Sequence, residues 1–312
     1  MKTKEALGCI GTAVVLLFSS AWIPLIGPFI SLLSPLPFVY YAAKRGLMEG
    51  IKVVGATILV AGLVSGAAGF PQIVILCVEF GVLGLILSEV FRRRMTFGYA
   101  VFITTTLMLL AGALILAGLG IAKGTSPPAL IIQYFQNNLK ETLQVYGNLG
   151  EFQGEDPRIQ EYVKVMTGIL ARTYPALVII GTGFVVWLNI VLCRPMFHHA
   201  RLEYPDFGRA DYWRTPDTMV WGVILAGFSL FLPLGGIRFI ATNTLIVLLS
   251  IYVFHGLAIV LFFFNKYRVP LWLRVGGYIL ILFQQVVLVG LALAGLFDQW
   301  IDFRKIHHKK AN

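Results

Sequence analysis

Asp, Glu, Lys and Arg are missing from seven stretches of this 312-residue chain: 6–43, 53–78, 95–122, 173–193, 218–237, 239–265 and 275–297. Each is at least as long as the roughly 20 residues that cross a hydrocarbon core. With 58% apolar residues, 13% charged residues and a mean hydropathy of +0.81, the composition excludes a soluble globular domain. Other absences narrow the chemistry. There is no GxxxxGK(S/T) loop, no HExxH, no paired CxxC and no GxSxG, which argues against nucleotide hydrolysis, zinc-protease chemistry and nucleophile-elbow hydrolysis. No enzymatic activity, metal or cofactor is expected. The three cysteines, Cys9, Cys77 and Cys193, fall within or at the edge of apolar stretches with no metal or redox spacing. Each reads as a small buried hydrophobe.

What charge there is has a pattern. The net charge is +10, but basic residues cluster beside apolar windows: Lys44, Arg45 and Lys52, then Arg92 to Arg94, then Lys266, Arg268 and Arg274. That is the orientation signal of a membrane protein and gives no support to a nucleic-acid partner. The basic start of the chain resembles a signal peptide, yet its apolar run continues to Tyr41 with no small-residue cleavage site, so it reads as a retained first span.

The windows predict an all-α, polytopic transmembrane helix bundle. Pro24 and Pro28, with Gly27 between them, divide the first window into spans at 6–25 and 29–43. The second holds Pro35 and Pro37 and should be kinked or partly unwound. Further spans follow at 51–69, 72–91, 97–122, 174–193, 217–236, 240–264 and 272–296, about nine in all. A cytoplasmic N-terminus puts 15 of the 25 basic residues inside. Nine spans then leave the tail, with Arg304, Lys305, Lys309 and Lys310, on the outside against the rule. Either the tail is an exception or one late element does not cross, which leaves eight. The expected setting is a bacterial cytoplasmic (inner) membrane.

Residues 123–172 form a helical insertion on the non-cytoplasmic side. Ser126 and Pro127 start a helix along which Ile131, Phe135, Leu139 and Tyr146 recur at helical spacing. After the glycines between Gly147 and Gly154, Asp156 and Pro157 start a second helix that runs into the span at 174–193. The first reads chiefly as a surface helix packed on the bundle.

Polar side chains within spans are costly and therefore informative. Glu79 lies seven residues, or roughly 10 Å, into its span and must face a cavity, find a partner or take up a proton. Arg238 is the partner proposed for it. His255, Gln284 with Gln285, and Asn189 could line a solute cavity; hydrogen bonding between helices explains them as well. Gly62-Leu-Val-Ser-Gly66 is a GxxxG pattern that suits close helix packing within the bundle. Trp213-Arg214-Thr215-Pro216-Asp217 reads as a helix start, with Thr215 as cap and Pro216 at the first helical position. The pairs His198-His199 and His307-His308 read as solvated loop residues.

Several segments resemble the YybS-like family of uncharacterised bacterial membrane proteins: SPLPFVYYAAKRGLMEG at 34–50, PALVII and WLNIVLCRPMF across 175–197, YWRTPDTMVWG at 212–222, HGLAIVLFFF at 255–264 and GLFDQWIDFRK at 295–305. The first three spans also look like the substrate-binding subunits of energy-coupling-factor transporters, a broad group that includes the cell-shape protein MreD. The likeness implies one membrane domain over 1–312, with a six-helix core at 1–193 carrying the 123–172 insertion. A cytoplasmic loop, three further spans and a basic tail follow at 194–312. It also implies partners: the lipid bilayer, a small-molecule solute, and coupling subunits or cytoplasmic proteins. The leading expectation is binding or transport of a small solute in an intramembrane cavity. The alternative is a scaffold that recruits cytoplasmic partners through the basic loop at 194–216.

Overall fold

The computed structural model describes residues 2–23, 26–148 and 157–305, without the side chains of Lys2, 138–148, 157–160 and Tyr162. Outside that set fall Pro24, most of the glycine-rich stretch ending at Gly154, Asp156, and the His307-His308 pair with Lys309 and Lys310. Among the described residues the chain is all-helical, with no strand.

Twelve α-helices follow in order: α1 (Lys2–Trp22), α2 (Gly27–Ser31), α3 (Pro35–Arg45), α4 (Leu47–Ala68), α5 (Gln72–Arg92), α6 (Phe97–Lys123), α7 (Pro127–Asn148), α8 (Pro157–His199), α9 (Met219–Ser229), α10 (Gly235–Lys266), α11 (Leu271–Phe283) and α12 (Gln285–Ile301). A 3-10 turn at Ala210–Tyr212 precedes α9. Among the described residues, six helices are long and apolar enough to cross a membrane, or seven if the bent pair α11–α12 is one span. The sequence windows give nine, and three of them differ in form. The window at 29–43 is two short helices broken at Leu32–Ser34 ahead of Pro35. The window at 217–236 holds only the 11-residue α9. The window at 272–296 bends by 101° at Gln284, whose extended backbone (φ −104°, ψ 101°) separates α11 from α12. No proline or glycine stands at that break, so hydropathy alone passes over it.

The insertion is helical as expected: α7 starts at Pro127, and α8 runs unbroken for 43 residues from Pro157 to His199. The chain divides into two compact units, Met1–Ile131 with Gly181–Phe207, and Ile132–Ile180 with Gly208–Asn312.

In the first unit, Glu5 of α1 receives Lys44 (3.0 Å) and Arg45 (2.6 Å) from the end of α3. Gly46, at φ 93°, then turns the chain into α4. Helices α3 and α5 meet closely because Gly84 has no side chain; a Cβ there would lie 2.5 Å from Phe38 Cβ and 3.1 Å from the Pro35 carbonyl oxygen. Leu83, Leu87, Ala100, Val186 and Ile190 form one core among α5, α6 and α8. Since lipid is as apolar as leucine, such contacts stabilise through packing density rather than escape from water. The GxxxG of α4 takes no part: a Cβ at Gly62 or Gly66 would meet nothing within 4 Å.

The second unit is organised on α10, which packs along α12 and α9. Its tight contact uses Gly256 and Gly295. A Cβ at Gly256 would lie 2.3 Å from the Leu291 carbonyl oxygen, and one at Gly295 2.3 Å from that of Tyr252. Asn243 of α10 ties in the first half of α8. Its amide donates to the Arg172 carbonyl (2.8 Å) and accepts from the Ala176 N–H (3.0 Å), beside Pro175.

Candidate functional site

Polar side chains gather most densely inside the second unit, around Asp298 near the end of α12. Its carboxylate is fully buried. Oδ2 accepts from Arg304 Nη2 (2.9 Å) and from Arg214 Nη2 (3.1 Å) and Nε (3.3 Å). Oδ1 accepts from the Phe303 backbone N–H at 2.9 Å, which closes the helix end where Asp302 turns left-handed (φ 44°). Arg304 is buried as well; its Nη1 donates to the carbonyls of Asp211 (2.8 Å) and Trp213 (3.1 Å). Arg214 adds the Asp298 carbonyl (2.9 Å) and Asp302 (3.3 Å). Two guanidiniums therefore face two carboxylates, and the cluster is balanced in charge, as a buried set must be.

His255 of α10 completes the cluster. Its Nδ1 is 2.9 Å from Thr215 Oγ1, and its Nε2 lies 2.9 Å from Arg304 Nη2 and 3.1 Å from Asp298 Oδ2. Nε2 thus stands between a guanidinium that only donates and a carboxylate that only accepts. Tyr252 stacks on the imidazole, Trp213 meets it edge-on, and Gln299 donates to the Tyr252 hydroxyl at 3.1 Å.

Asp211 is the second hub. Its carboxylate accepts from Arg209 Nη2 (2.7 Å) and Asn265 Nδ2 (3.1 Å). Burial pushes the Asp211 pKa up, but the hydrogen bonds from Arg209 and Asn265 outweigh it and leave the group below its usual value. Asn265 also accepts from Arg274 in the first turn of α11 (2.9 Å). Both ends of the bent pair are thus tied to Asp211: the start of α11 through Arg274 and Asn265, the end of α12 through Arg304.

The sequence-derived candidates fare unequally. His255 lies in the cluster. Gln284 and Gln285 are exposed at the α11–α12 bend, and Arg238 is exposed in the first turn of α10. Glu79, in the first unit, is half-buried on α5, and no hydrogen-bond or ion-pair partner meets its carboxylate among the described residues. Arg238, proposed as its partner, belongs to the second unit. Asn189 is fully buried and donates to the carbonyls of Leu32 (3.0 Å) and Val185 (2.9 Å).

Sequence reasoning missed Asp298, Arg304, Arg214 and the role of Thr215. Thr215 does not cap α9, which starts at Met219; it bonds His255 instead. Arg304, counted with the charges of the C-terminal tail, is buried. A signal existed nonetheless. Of the segments that carry the family resemblance, three contribute these residues: 212–222 brings Arg214 and Thr215, 255–264 brings His255, and 295–305 brings Asp298, Asp302 and Arg304.

No group of three or more His, Cys, Asp or Glu side chains suited to a metal ion occurs among the described residues. The cluster holds α10, α12 and the 211–215 segment together. Fold and site together define a multi-pass α-helical membrane protein with a buried, neutralised ion cluster in its second unit.

The chain belongs to the family of predicted membrane proteins DUF2232, which matches residues 11–299. It is 22% identical to the uncharacterised protein YybS of Bacillus subtilis (strain 168) over 294 residues, 91% of each chain. No solved structure matches it.

Proposed function

We propose that this protein binds a small solute among the helices of its first unit and carries it across the bacterial cytoplasmic membrane, with the N-terminus inside. The observation that carries this reading is Glu79, a half-buried carboxylate on an apolar helix with no partner among the described residues. A charge so placed is costly in a bilayer unless a ligand, an ion or a proton meets it. The break between α2 and α3 adds support, because irregular backbone at membrane depth is tolerated where it lines a binding cavity. The protein acts without catalysis, and energy enters through partner subunits or a coupled ion. The scaffold alternative draws less support, since Arg209 of the basic 194–216 loop pairs with Asp211 and lies over the Tyr212 ring at 4.6 Å. Native mass spectrometry of the gently purified chain is the test. A small molecule retained by wild type and lost from the Glu79→Gln variant supports the reading. A chain that carries none, or a Glu79→Gln variant that holds it equally, overturns it.

A further inference from the structure

We infer that the second unit carries a proton-operated latch. When His255 takes up a proton, its imidazole replaces Arg304 on Asp298, and the segment after α12 that carries Arg304 is released. The latch is independent of Glu79 and of the solute-binding reading.

Three atoms form one triangle: His255 Nε2 lies 2.9 Å from Arg304 Nη2 and 3.1 Å from Asp298 Oδ2, and the last two are 2.9 Å apart. One ring nitrogen cannot serve both neighbours. Bare, it accepts from the guanidinium; carrying a proton, it donates to the carboxylate and turns an N–H towards Arg304. Once both ring nitrogens are protonated only the second state remains, with Nδ1 donating to Thr215 Oγ1 at 2.9 Å. Charge leads the same way. Arg214 and Arg304 face Asp298 and Asp302, and a third positive charge in that buried set is costly. Departure of Arg304 restores the balance, one cation leaving for the proton that enters.

Arg304 is the member set up to leave. Its Nε is shut off from solvent and meets no acceptor among the described residues, so the side chain is buried with one donor unmet. The backbone on both sides of it is left-handed at residues other than glycine, Asp302 (φ 44°) and Lys305 (φ 52°). A Cβ makes that conformation costly, and letting the segment go relieves it. Asp298 is not stranded by the exchange, because it keeps Arg214 at 3.1 Å and gains the imidazolium.

The groups around the ring come from every element packed on it. Its own helix α10 gives Tyr252, and α12 gives Asp298 with Gln299, which bonds the Tyr252 hydroxyl. The chain beyond α12 gives Asp302 and Arg304. The 211–217 segment gives Arg214, Thr215, the Asp211 carbonyl held by Arg304, and Asp217, whose charge acts on Tyr252. Of these side-chain types only imidazole ordinarily changes its charge between about pH 5 and 8. Arg214, with a side chain 19% exposed, and Asp302, at 13%, form the rim through which the proton reaches it.

The test is hydrogen–deuterium exchange of the purified full chain in detergent between about pH 8 and about pH 5, with rates corrected for the intrinsic pH dependence of amide exchange. The Phe303 and Lys305 amides report the latch, since they donate to Asp298 Oδ1 (2.9 Å) and to the Asp302 carbonyl (2.8 Å). In wild type their protection should fall roughly tenfold or more across the range, one proton allowing up to about tenfold per pH unit. Protection along α10 should stay constant. His255→Gln keeps an amide beside Arg304 and Asp298 but takes no proton, and its profile should be flat. Arg304→Gln has no charge to expel and should be flat as well. Wild-type protection that ignores pH overturns the latch, and so does a loss that extends to α10 or a pH dependence that survives in His255→Gln. Should that variant not fold, His255→Asn takes its place; if neither folds, a dependence retained in Arg304→Gln overturns the latch and its absence there supports it.

Discussion

Replacing Asp298 by alanine should be among the most damaging single changes in the second unit. The substitution removes the carboxylate that faces two guanidiniums, one with a fully buried side chain (Arg304) and one with a side chain 19% exposed (Arg214). Breaking a buried ion pair from one side costs about 3–5 kcal/mol, because the partner is left as an uncompensated charge. Here the lower end applies. Arg304 keeps the Asp211 and Trp213 carbonyls, and Arg214 keeps the Asp298 carbonyl and Asp302. About 3 kcal/mol corresponds to a fall of roughly 6–12 °C on the scale of 2–4 °C per kcal/mol. Tryptophan fluorescence during heating in detergent is a suitable readout, since the Trp213 ring lies 6.2 Å from the His255 ring. Adding Arg304→Met to Asp298→Ala should cost less than the two single changes summed, because the pair leaves together. If Asp298→Ala melts with wild type, or if the two changes are additive, the cluster does not hold the unit together and the reasoning fails.

Three further outcomes follow from the same geometry. Gly256→Leu or Gly295→Leu places a side chain within 2.3 Å of a backbone carbonyl oxygen and should abolish a monodisperse folded peak, whereas Gly62→Leu and Gly66→Leu meet open space and should elute normally on size exclusion. Asp211 has a depressed pKa in the folded chain, so its stabilisation is present above about pH 4 and is lost as pH falls through the folded value; Asp211→Asn should flatten the acid side of a melting-temperature profile, and an unchanged profile would refute this. Cysteines placed at Arg209 and Lys305 should react with a membrane-impermeant maleimide from the same side, against a low background because Cys9, Cys77 and Cys193 are buried; labelling from opposite sides would contradict the shared hub at Asp211.

The membrane-spanning helices were legible because burial in lipid acts on every residue of a span, so absence of charge integrates over about 20 positions. The long α8 and the start of α7 were legible from proline and periodicity. The bend at Gln284 was not, since an exposed polar pair in an apolar run resembles the polar lining of a continuous helix. The ion cluster was hidden for another reason. Each of its members has a bland local explanation: Thr215 as a cap, Asp298 as a span edge, Arg304 as tail charge. Pairings across 40 to 93 residues of sequence join the 211–215 segment, α10 and the end of α12. Glu79 was visible because a single carboxylate interrupts an apolar run, but its lack of a partner is a fact of the fold. The glycines misled in the same way: GxxxG in α4 is open, while the close approach belongs to Gly256 and Gly295, on different helices and in no shared motif.

The bend and the cluster belong to one arrangement. The helix pair is tied to Asp211 near both ends, through Arg274 and Asn265 at the start and through Arg304 at the end. At 13 and 17 residues, α11 and α12 each fall short of the roughly 20 residues of a full span, so something else must hold their register. A cluster in which two guanidiniums face two carboxylates can do so, because it tolerates one alignment of α12 on α10, and any slip leaves its guanidiniums unpaired. The glycine contacts at Gly256 and Gly295 set the same alignment from the apolar side. The polarity buried in the second unit therefore answers a problem of topology, and the unmet polarity of the first is where a ligand is to be sought.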